Sequence, residues 1–341
     1  MCRAQWFLAT AALLFPMAAM AQGAKEIPSA EIIAKTREAR DLASIGLPKE
    51  YVVSGDTKFN SWALTADRIV FKSGATLTFS EEALARRDEF FIIANEIVSE
   101  DQANPGKITW AREDGPGTAP PAAGQAPSGT HGQGDGAHGG AGSTGAIGNQ
   151  GYPGRNAPSL TIFVRKVTGS GQLIDFKGQD GGAGGQGQAG GDGGVGHKGA
   201  PASSSAFDCR RGAGYGGNGG SGGNGGTGGT GGNGGVGGTV TLVSLPDNLS
   251  PLSKLYRTEI SGGKGGPGGS GGSGGAGGPG GSQGAKSLPY CQDEPGRKGK
   301  PGAVGNSGPI GTKGVDGIAG DFLVTGLTQE QFDKMMTGGG N

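Results

Sequence analysis

Two short segments without glycine carry the most chemically distinctive side chains of this chain. They read SSSAFDCRR (203–211) and SLPYCQDEP (287–295), and each interrupts a long glycine-rich stretch. Aromatic and arginine side chains on loops of a rigid scaffold are typical binding anchors. The alternative is that the loops simply need polar residues and that the aromatic rings pack around a disulfide. We predict a binding site at these tips, formed by Phe207, Arg210, Arg211, Tyr215, Tyr290, Asp293 and Glu294.

Each of the two tip segments contains one cysteine. Cys209 lies 31 residues beyond Gly178, and Cys291 lies 29 residues beyond Gly262, where the two glycine tracts begin. The cysteines therefore occupy nearly the same depth in successive excursions, and the thiols meet if the excursions stack side by side. The third cysteine, Cys2, lies in the predicted signal peptide, so the mature chain keeps two. An exported chain with an even, small number of cysteines favours pairing over free thiols. We predict a disulfide between Cys209 and Cys291.

The sequence predicts no metal site and no cofactor. His131, Asp135 and His138 are competent metal ligands, but their spacing brings them together only on an α-helix. A glycine-rich segment does not form such a helix. The segment GGDGGVG (190–196) lacks the nonapeptide repeat of calcium-binding β-helices.

Catalytic motifs are equally lacking. We find no nucleophile elbow, zinc motif or phosphate loop, and the glycine tracts do not lie between a strand and a helix as a dinucleotide-binding motif requires. Asp175 and Asp180 lie near a strand end, where only proximity in the fold would give them a catalytic role. We predict that the protein is not an enzyme.

A ladder of small residues is a further candidate surface. Residues 216–238 read GGNGGSGGNGGTGGTGGNGGVGG. In an extended helix with three residues per turn, the third residue of each triplet recurs at intervals of about 9 Å. Such a ladder is suited to ice or a carbohydrate, and the alternative is a buried seam between neighbouring segments. Its polar members are Asn218, Ser221, Asn224, Thr227, Thr230 and Asn233.

The N-terminus predicts export. Arg3 precedes an apolar run at 7–20, and the sequence Ala19-Met20-Ala21 fits the cleavage site of a signal peptide. The run is too short to span a bilayer, so we expect no membrane span and a location in the periplasm, at the cell surface or outside the cell. Removing residues 1–21 leaves 28 Lys and Arg against 29 Asp and Glu, a net charge of −1. This balance predicts no nucleic-acid partner.

We predict an all-β fold in which β-solenoid-like rungs carry glycine-rich excursions that run out and back. The ordinary composition of residues 22–110 predicts a helix from Ser29 to Leu42, followed by short strands. Over residues 111–326, strands alternate with three excursions at 115–154, 178–238 and 262–320, the last two about 80 residues apart. Residues 327–341 predict a capping helix and a tail, with the capping-box pattern Thr328-x-x-Gln331 at its start.

Glycine accounts for 79 of 341 residues and admits three interpretations of the excursions. A flexible linker leaves their strict three-residue period unexplained. A collagen-like triple helix fits the G-X-Y run at 296–320, but the GGX runs hold more glycine than it needs. We favour an intramolecular bundle of polyglycine II helices, because glycine on two sides lets a segment pack against several neighbours. The GGX runs (216–238 and 262–281) then lie inside, and the G-X-Y run lies outside.

The GGNGGTGG-type tracts, over 115–320, resemble the glycine-rich domains of mycobacterial PE-PGRS surface proteins. They are also similar to the polyglycine-helix domains of phage tail-fibre tip adhesins and to snow-flea antifreeze proteins. The resemblance implies a polyglycine II bundle with either receptor-binding end loops, as in the adhesins, or an ice-binding flat face. The strand-rich N-terminal part departs from all three families, so the resemblance assigns no functional residue.

Three functions remain open at this point. The first is an exported, adhesin-like scaffold that presents the tips to a glycan or a cell-surface receptor. The second is a self-associating, collagen-like component of an envelope or matrix. The third is ice binding through the ladder of Asn, Ser and Thr.

Overall fold

Short apolar runs form two parallel β-sheets in this computed structural model, which describes residues 25–26, 32, 38–39, 41, 48–112, 115–122, 124–291 and 296–337. The larger sheet contains β1 (Lys25–Glu26), β2 (Glu50–Val53), β4 (Ala63–Phe71), β6 (Glu89–Ser99), β8 (Ser159–Thr168), β12 (Val240–Ser244) and β14 (Phe322–Gly326). The smaller sheet contains β3 (Asp56–Phe59), β5 (Thr76–Phe79), β7 (Lys107–Trp110), β9 (Leu173–Asp175) and β13 (Arg257–Glu259). The strand orders are β1-β14-β12-β8-β6-β4-β2 and β13-β9-β7-β5-β3, with parallel neighbours throughout.

The predicted all-β class, with solenoid-like rungs and a polyglycine II bundle, is wrong. The two sheets are parallel and helices lie in the connections of the chain, which makes the fold α/β-like. The helices are α1 (Glu81–Arg86), α2 (Pro246–Leu255) and α3 (Gln329–Thr337). Only α3 was expected from the sequence: α1 has six residues, and α2 contains Pro251, a residue that argues against a helix interior.

Two predicted segments lie largely or wholly outside the described residues. The signal peptide (1–21) is one of them. The helix predicted over Ser29–Leu42 is the other, although four residues of it are described and are helical: Ile32, Glu38, Ala39 and Asp41.

The main hydrophobic core lies between the two sheets. Alternate residues of β8, such as Leu160 and Ile162, face this core, while the intervening Phe163 faces the other side of the larger sheet. Phe79 of the smaller sheet stacks on Phe90 of the larger one, with ring centroids 4.3 Å apart. Because β6, β8 and β12 at the centre of the larger sheet are buried on both faces over most of their length, they read as nearly continuous apolar runs.

Helix α3 covers the outer face of the larger sheet. Its residues Phe332 and Met335 are fully or almost fully buried there, in a cluster that includes Phe163. The capping box predicted at its start is confirmed, because Gln331 N donates to Thr328 Oγ1 at 3.2 Å and Thr328 N donates to Gln331 Oε1 at 2.9 Å. These paired bonds satisfy two amides that the first turn of a helix leaves free.

Three glycine-rich connections leave the smaller sheet after β7, β9 and β13 and return to β8, β12 and β14 of the larger one. Each connection has an outgoing leg and a returning leg. We number them leg 1 (115–136, without 123), leg 2 (137–158), leg 3 (177–202), leg 4 (212–239), leg 5 (260–286) and leg 6 (296–321). Together these six legs are called the glycine array, and their described residues form neither α-helix nor β-strand, apart from an isolated bridge between Gln125 of leg 1 and Ala189 of leg 3.

Backbone hydrogen bonds join the legs at every third residue. In leg 4, Gly229 N donates to Gly185 O of leg 3 at 2.8 Å, and Gly228 N donates to Pro309 O of leg 6 at 2.9 Å. Legs 2 and 5 donate to carbonyls of leg 4 in the same periodic manner. Leg 4 is therefore hydrogen-bonded to four other legs, which satisfies backbone groups that burial would otherwise leave unpaired.

Glycine permits the close approach between legs. A Cβ atom on Gly228 would lie 1.9 Å from Gly269 O of leg 5, and one on Gly229 would lie 1.9 Å from Asn149 O of leg 2. Both distances are shorter than any real contact of a Cβ atom. Two glycines in each triplet are thus a steric requirement of a leg with neighbours on two sides.

Leg 6 forms one edge of the array. It is hydrogen-bonded to legs 4 and 5, and it has glycine at only one position of each triplet. Gly222 and Gly228 of leg 4 correspond to Val304 and Ile310 of leg 6, whose side chains are 72% and 74% exposed. Side chains therefore occupy the positions at which another leg would have to pack.

Candidate binding site at the tip of the glycine array

The far ends of legs 3 to 6 are fixed to one another. β10 (Ser203–Ser204) and β11 (Cys209–Arg211) form an antiparallel hairpin between legs 3 and 4. Cys209 forms a disulfide with Cys291, with a Cα–Cα distance of 5.0 Å and a sequence separation of 82 residues. Ser204 Oγ and Ser287 Oγ lie 2.9 Å apart in a further hydrogen bond. The two excursions are thus linked at the depth that the positions of the cysteines indicated.

The aromatic residues predicted at the tip are exposed. Phe207 is 88% exposed, Tyr215 65% and Tyr290 45%, and the neighbouring Leu288 is 71% exposed. Cys291, in contrast, is almost fully buried. A ring as exposed as that of Phe207 is not packed around the disulfide, which favours a binding role over a packing role.

The charged residues predicted at the tip differ in their surroundings. Arg210 and Arg211 are both exposed, and the Nη2 atom of Arg211 donates to Pro201 O at 3.1 Å. That bond orients Arg211 along the hairpin. Asp293 and Glu294 lie outside the described residues.

A cleft with a volume of 830 Å³ opens beside the tip, between the ends of legs 4, 5 and 6. Its polar and aromatic walls come from Tyr215, Gln283, Arg297 and Lys298, and small residues of leg 4 form the remainder. This volume falls within the range of about 300–1,000 Å³ that is usual for small-molecule sites. Gln283, Arg297 and Lys298 were not predicted as site residues from the sequence, because their position next to Tyr215 depends on which legs are neighbours.

No family model matches this chain, and no curated protein matches it either. Among solved structures, the chain is similar to a springtail antifreeze protein from Granisotoma rainieri, described as a nine polyproline type II helical bundle. The two sequences are 24% identical over 48% of this chain and 95% of that protein, with a TM-score of 0.10. A TM-score this low carries no argument about fold or function.

The predicted ladder lies on the outer side of leg 4. Asn218, Ser221, Asn224, Thr230 and Asn233 are exposed, and Thr227 is half-buried. Three of the asparagines use their side chains within the array, since the Oδ1 atoms of Asn218, Asn224 and Asn233 accept hydrogen bonds from backbone amides of leg 6 at 2.8 to 2.9 Å. The ladder thus anchors leg 6 as well as facing solvent.

The two histidines considered as metal ligands form hydrogen bonds with different legs. His131 Nδ1 accepts a hydrogen bond from Val195 N of leg 3 at 3.0 Å, whereas His138 Nδ1 accepts one from Asn218 N of leg 4 at 2.7 Å. Asp135 lies in the turn between them and is exposed. Within the described part of the chain, no group of three potential ligands could hold a metal ion.

The carboxylates near the strand end are bound to neighbouring groups. Asp175 Oδ2 accepts from Lys107 Nζ and from Arg112 Nη2, each at 2.7 Å. Asp180 Oδ1 accepts from Lys264 N of leg 5 at 2.6 Å. Burial disfavours ionisation of Asp175, but the hydrogen bonds and charges of its two cations outweigh burial, so the pKa of Asp175 lies below its usual value.

We predict that Asp175→Asn lowers the free energy of unfolding at pH 7 by about 2 kcal/mol, because it leaves two cations without their common anion. The folded-state pKa is depressed, so the stabilisation is complete well above about pH 4 and is lost as the pH falls through the lowered pKa. Urea unfolding of the wild type and of Asp175→Asn at pH 7 and pH 2.5 measures the difference in their free energies of unfolding. The difference between them should shrink at pH 2.5, whereas a constant difference would contradict the ionic origin. Asp56→Asn, at an exposed site, is the control.

Among the residues that the structure describes, no helix has both the length and the apolar character needed to cross a bilayer.

Proposed function

We propose that this protein is an exported, non-enzymatic scaffold of the adhesin type, which presents the disulfide-linked tip of its glycine array for binding. The observation that carries the proposal is the concentration of exposed aromatic and basic side chains at the tip, some of which line a cleft there. Both sheets lie at the opposite end of the legs. The array therefore holds the tip away from the hydrophobic core on a backbone framework that is hydrogen-bonded throughout.

Export is supported by the disulfide as well as by the N-terminal sequence. Disulfides persist in oxidising compartments and are rare in the reducing cytosol. The near-neutral charge of the mature chain argues against a general electrostatic attachment to nucleic acid or anionic membranes. The proposal therefore places recognition in a local site rather than in the overall charge.

Self-association, the second interpretation, is less favoured because of the edge of the array. An added leg would have to approach leg 6 where Val304 and Ile310 stand in place of glycine. Asp316, in the same row, already accepts a hydrogen bond from Gly265 N of leg 5 at 2.7 Å. These side chains resemble the charged and bulky residues with which proteins protect the edges of β-sheets against aggregation.

Ice binding, the third interpretation, is less favoured because half of the ladder has a structural role. The carboxamide oxygens of Asn218, Asn224 and Asn233 are used by the backbone of leg 6. Only Ser221, Thr227 and Thr230 keep hydroxyl groups for a ligand, and these are unevenly exposed.

The test is adhesion of protein-coated beads to a printed glycan array and to whole bacterial cells. We expect the triple variant R210A/R211A/Y290A to reduce bead retention at least tenfold, because it removes two exposed cations and one exposed ring from the tip. The control Y152A/K264A/K313A is matched in charge and ring type, because it removes two exposed cations and one exposed tyrosine elsewhere in the chain. Equal retention of the wild type and the tip variant would rule out binding through Arg210, Arg211 and Tyr290.

A further inference from the structure

We propose that the cleft at the tip binds an anionic carbohydrate, with the ring of Tyr215 under a sugar and Arg297 and Lys298 at its carboxylate groups. This inference rests on the proposed function and gives it a ligand class. It is carried by three features of the cleft: its charge, its aromatic wall and its dimensions.

The tip is basic in a chain that is neutral overall. Residues 198–215 and 283–300 contain seven Lys and Arg and three Asp and Glu, a net charge of +4, while the whole chain has a formal net charge of 0. The remaining residues therefore sum to −4. Among described side chains, no ion pair engages Arg297 or Lys298, so both cations are available to a ligand. Local charge of one sign attracts ligands of the opposite sign.

The side chains in the wall of the cleft match the groups of an acidic sugar. Tyr215 presents an exposed ring, and the electron-rich face of an aromatic ring attracts the C–H groups of a pyranose. The guanidinium of Arg297 is suited to two parallel hydrogen bonds to a carboxylate. Gln283 has an amide that both donates to and accepts from hydroxyl groups. Apolar ring, cation and amide thus meet within one cleft.

The dimensions of the site argue against a nucleic acid. Proteins that bind DNA through its backbone commonly make about six to ten phosphate contacts along a continuous basic surface. Among the cations that the structure describes, only Arg297 and Lys298 line this cleft, and the rest of leg 6 holds just two more, Lys300 and Lys313. A cleft of 830 Å³ is suited to a few sugar rings rather than to a long polyanion.

The experiment is calorimetric titration of the full, disulfide-linked protein with a trimer of galacturonic acid and with the fully methyl-esterified, uncharged trimer. We expect the acid to bind at least tenfold more tightly than the ester. This ratio of affinities should decrease when the NaCl concentration is raised from 50 to 200 mM. Tyr215→Ala and Arg297→Gln should each weaken binding of the acid at least tenfold. Tyr152→Ala and Lys313→Gln, at exposed sites far from the cleft, should stay within twofold of the wild type.

Several results would overturn the inference: no binding of the acid, equal binding of acid and ester, or unchanged affinity in Tyr215→Ala. Tighter binding of a poly-aspartate peptide or a single-stranded oligonucleotide would overturn it in favour of that class. Bead adhesion separates this inference from the proposed function. If the tip variant abolishes adhesion but the acid trimer does not compete for it, the tip is a binding site and the ligand class is wrong.

Discussion

Replacing Gly229 by alanine should destabilise the protein by about 3 to 5 kcal/mol, although the change adds a single methyl group. The new Cβ would lie 1.9 Å from Asn149 O, so legs 2 and 4 would have to separate by more than 1 Å. Such a separation also weakens the hydrogen bonds of neighbouring triplets, each worth about 1 kcal/mol. The small gain from the lower chain entropy of unfolded alanine does not offset these losses.

The adjacent Thr230→Ala variant is the matched control for this experiment. Thr230 is exposed on the outer side of the same leg, and its backbone carbonyl, which accepts from Gly151 N, is unaffected by the substitution. Urea unfolding should place this variant within about 0.5 kcal/mol of the wild type. If Gly229→Ala and Thr230→Ala were equally stable, the close packing of legs 2 and 4 would not exist in solution.

Removing the disulfide should cost about 4 to 5 kcal/mol. The bond closes a loop of 82 residues, and the entropy that cross-linking removes from the unfolded chain increases with loop length. For a protein of this size the loss corresponds to a decrease of roughly 6 to 7 °C in the melting temperature. The measurement is thermal unfolding of the Cys209→Ser/Cys291→Ser double variant beside the wild type, with and without a reductant.

The reductant supplies an internal control for the disulfide experiment. It should lower the melting temperature of the wild type to that of the double variant and leave the double variant unchanged. A second control, Ser204→Ala/Ser287→Ala, removes the hydrogen bond across the tip and should cost only about 1 kcal/mol. A fully reduced wild type that melts at the oxidised temperature would contradict the prediction.

The pairing of Cys209 with Cys291 was accessible from the sequence, because equal depth in two successive excursions is a matter of counting residues. The period of three in the tracts likewise indicates where glycine must lie. The three-residue spacing of the hydrogen bonds between legs follows from that period.

The α/β-like class of the fold could not be predicted from the sequence by counting or by period. Helix α2 has start signals in Pro246 and Asp247, but it begins without a side-chain cap and Pro251 breaks the helical signature of its interior. Helix α1 has the N-cap Ser80 and two acidic residues in its first turn, but with only six residues it is too short to show a helical period. Short connections of this kind are determined by the sheets they join more than by their own propensity.

The cleft and the role of the ladder depend on contacts between distant residues. Nothing in the triplets around Gln283 or Lys298 indicates that legs 4, 5 and 6 enclose a space beside Tyr215. The side chain of Asn224 looks like a solvent-facing group in the sequence, yet it bonds to the amide of Asn306, 82 residues away. The order of the legs has to be known before either feature is visible.

The direction of the legs has a mechanical consequence. A ligand held at the tip pulls along the legs, whereas the hydrogen bonds between legs lie across them. Tension therefore loads many of these bonds together in shear, instead of opening them one after another. The disulfide distributes the same load over legs 3 to 6, all of which are anchored in strands of the two sheets. Under the proposed function, we expect the array to act as a tether that resists extension, so that rupture under force occurs at the ligand before it occurs in the array.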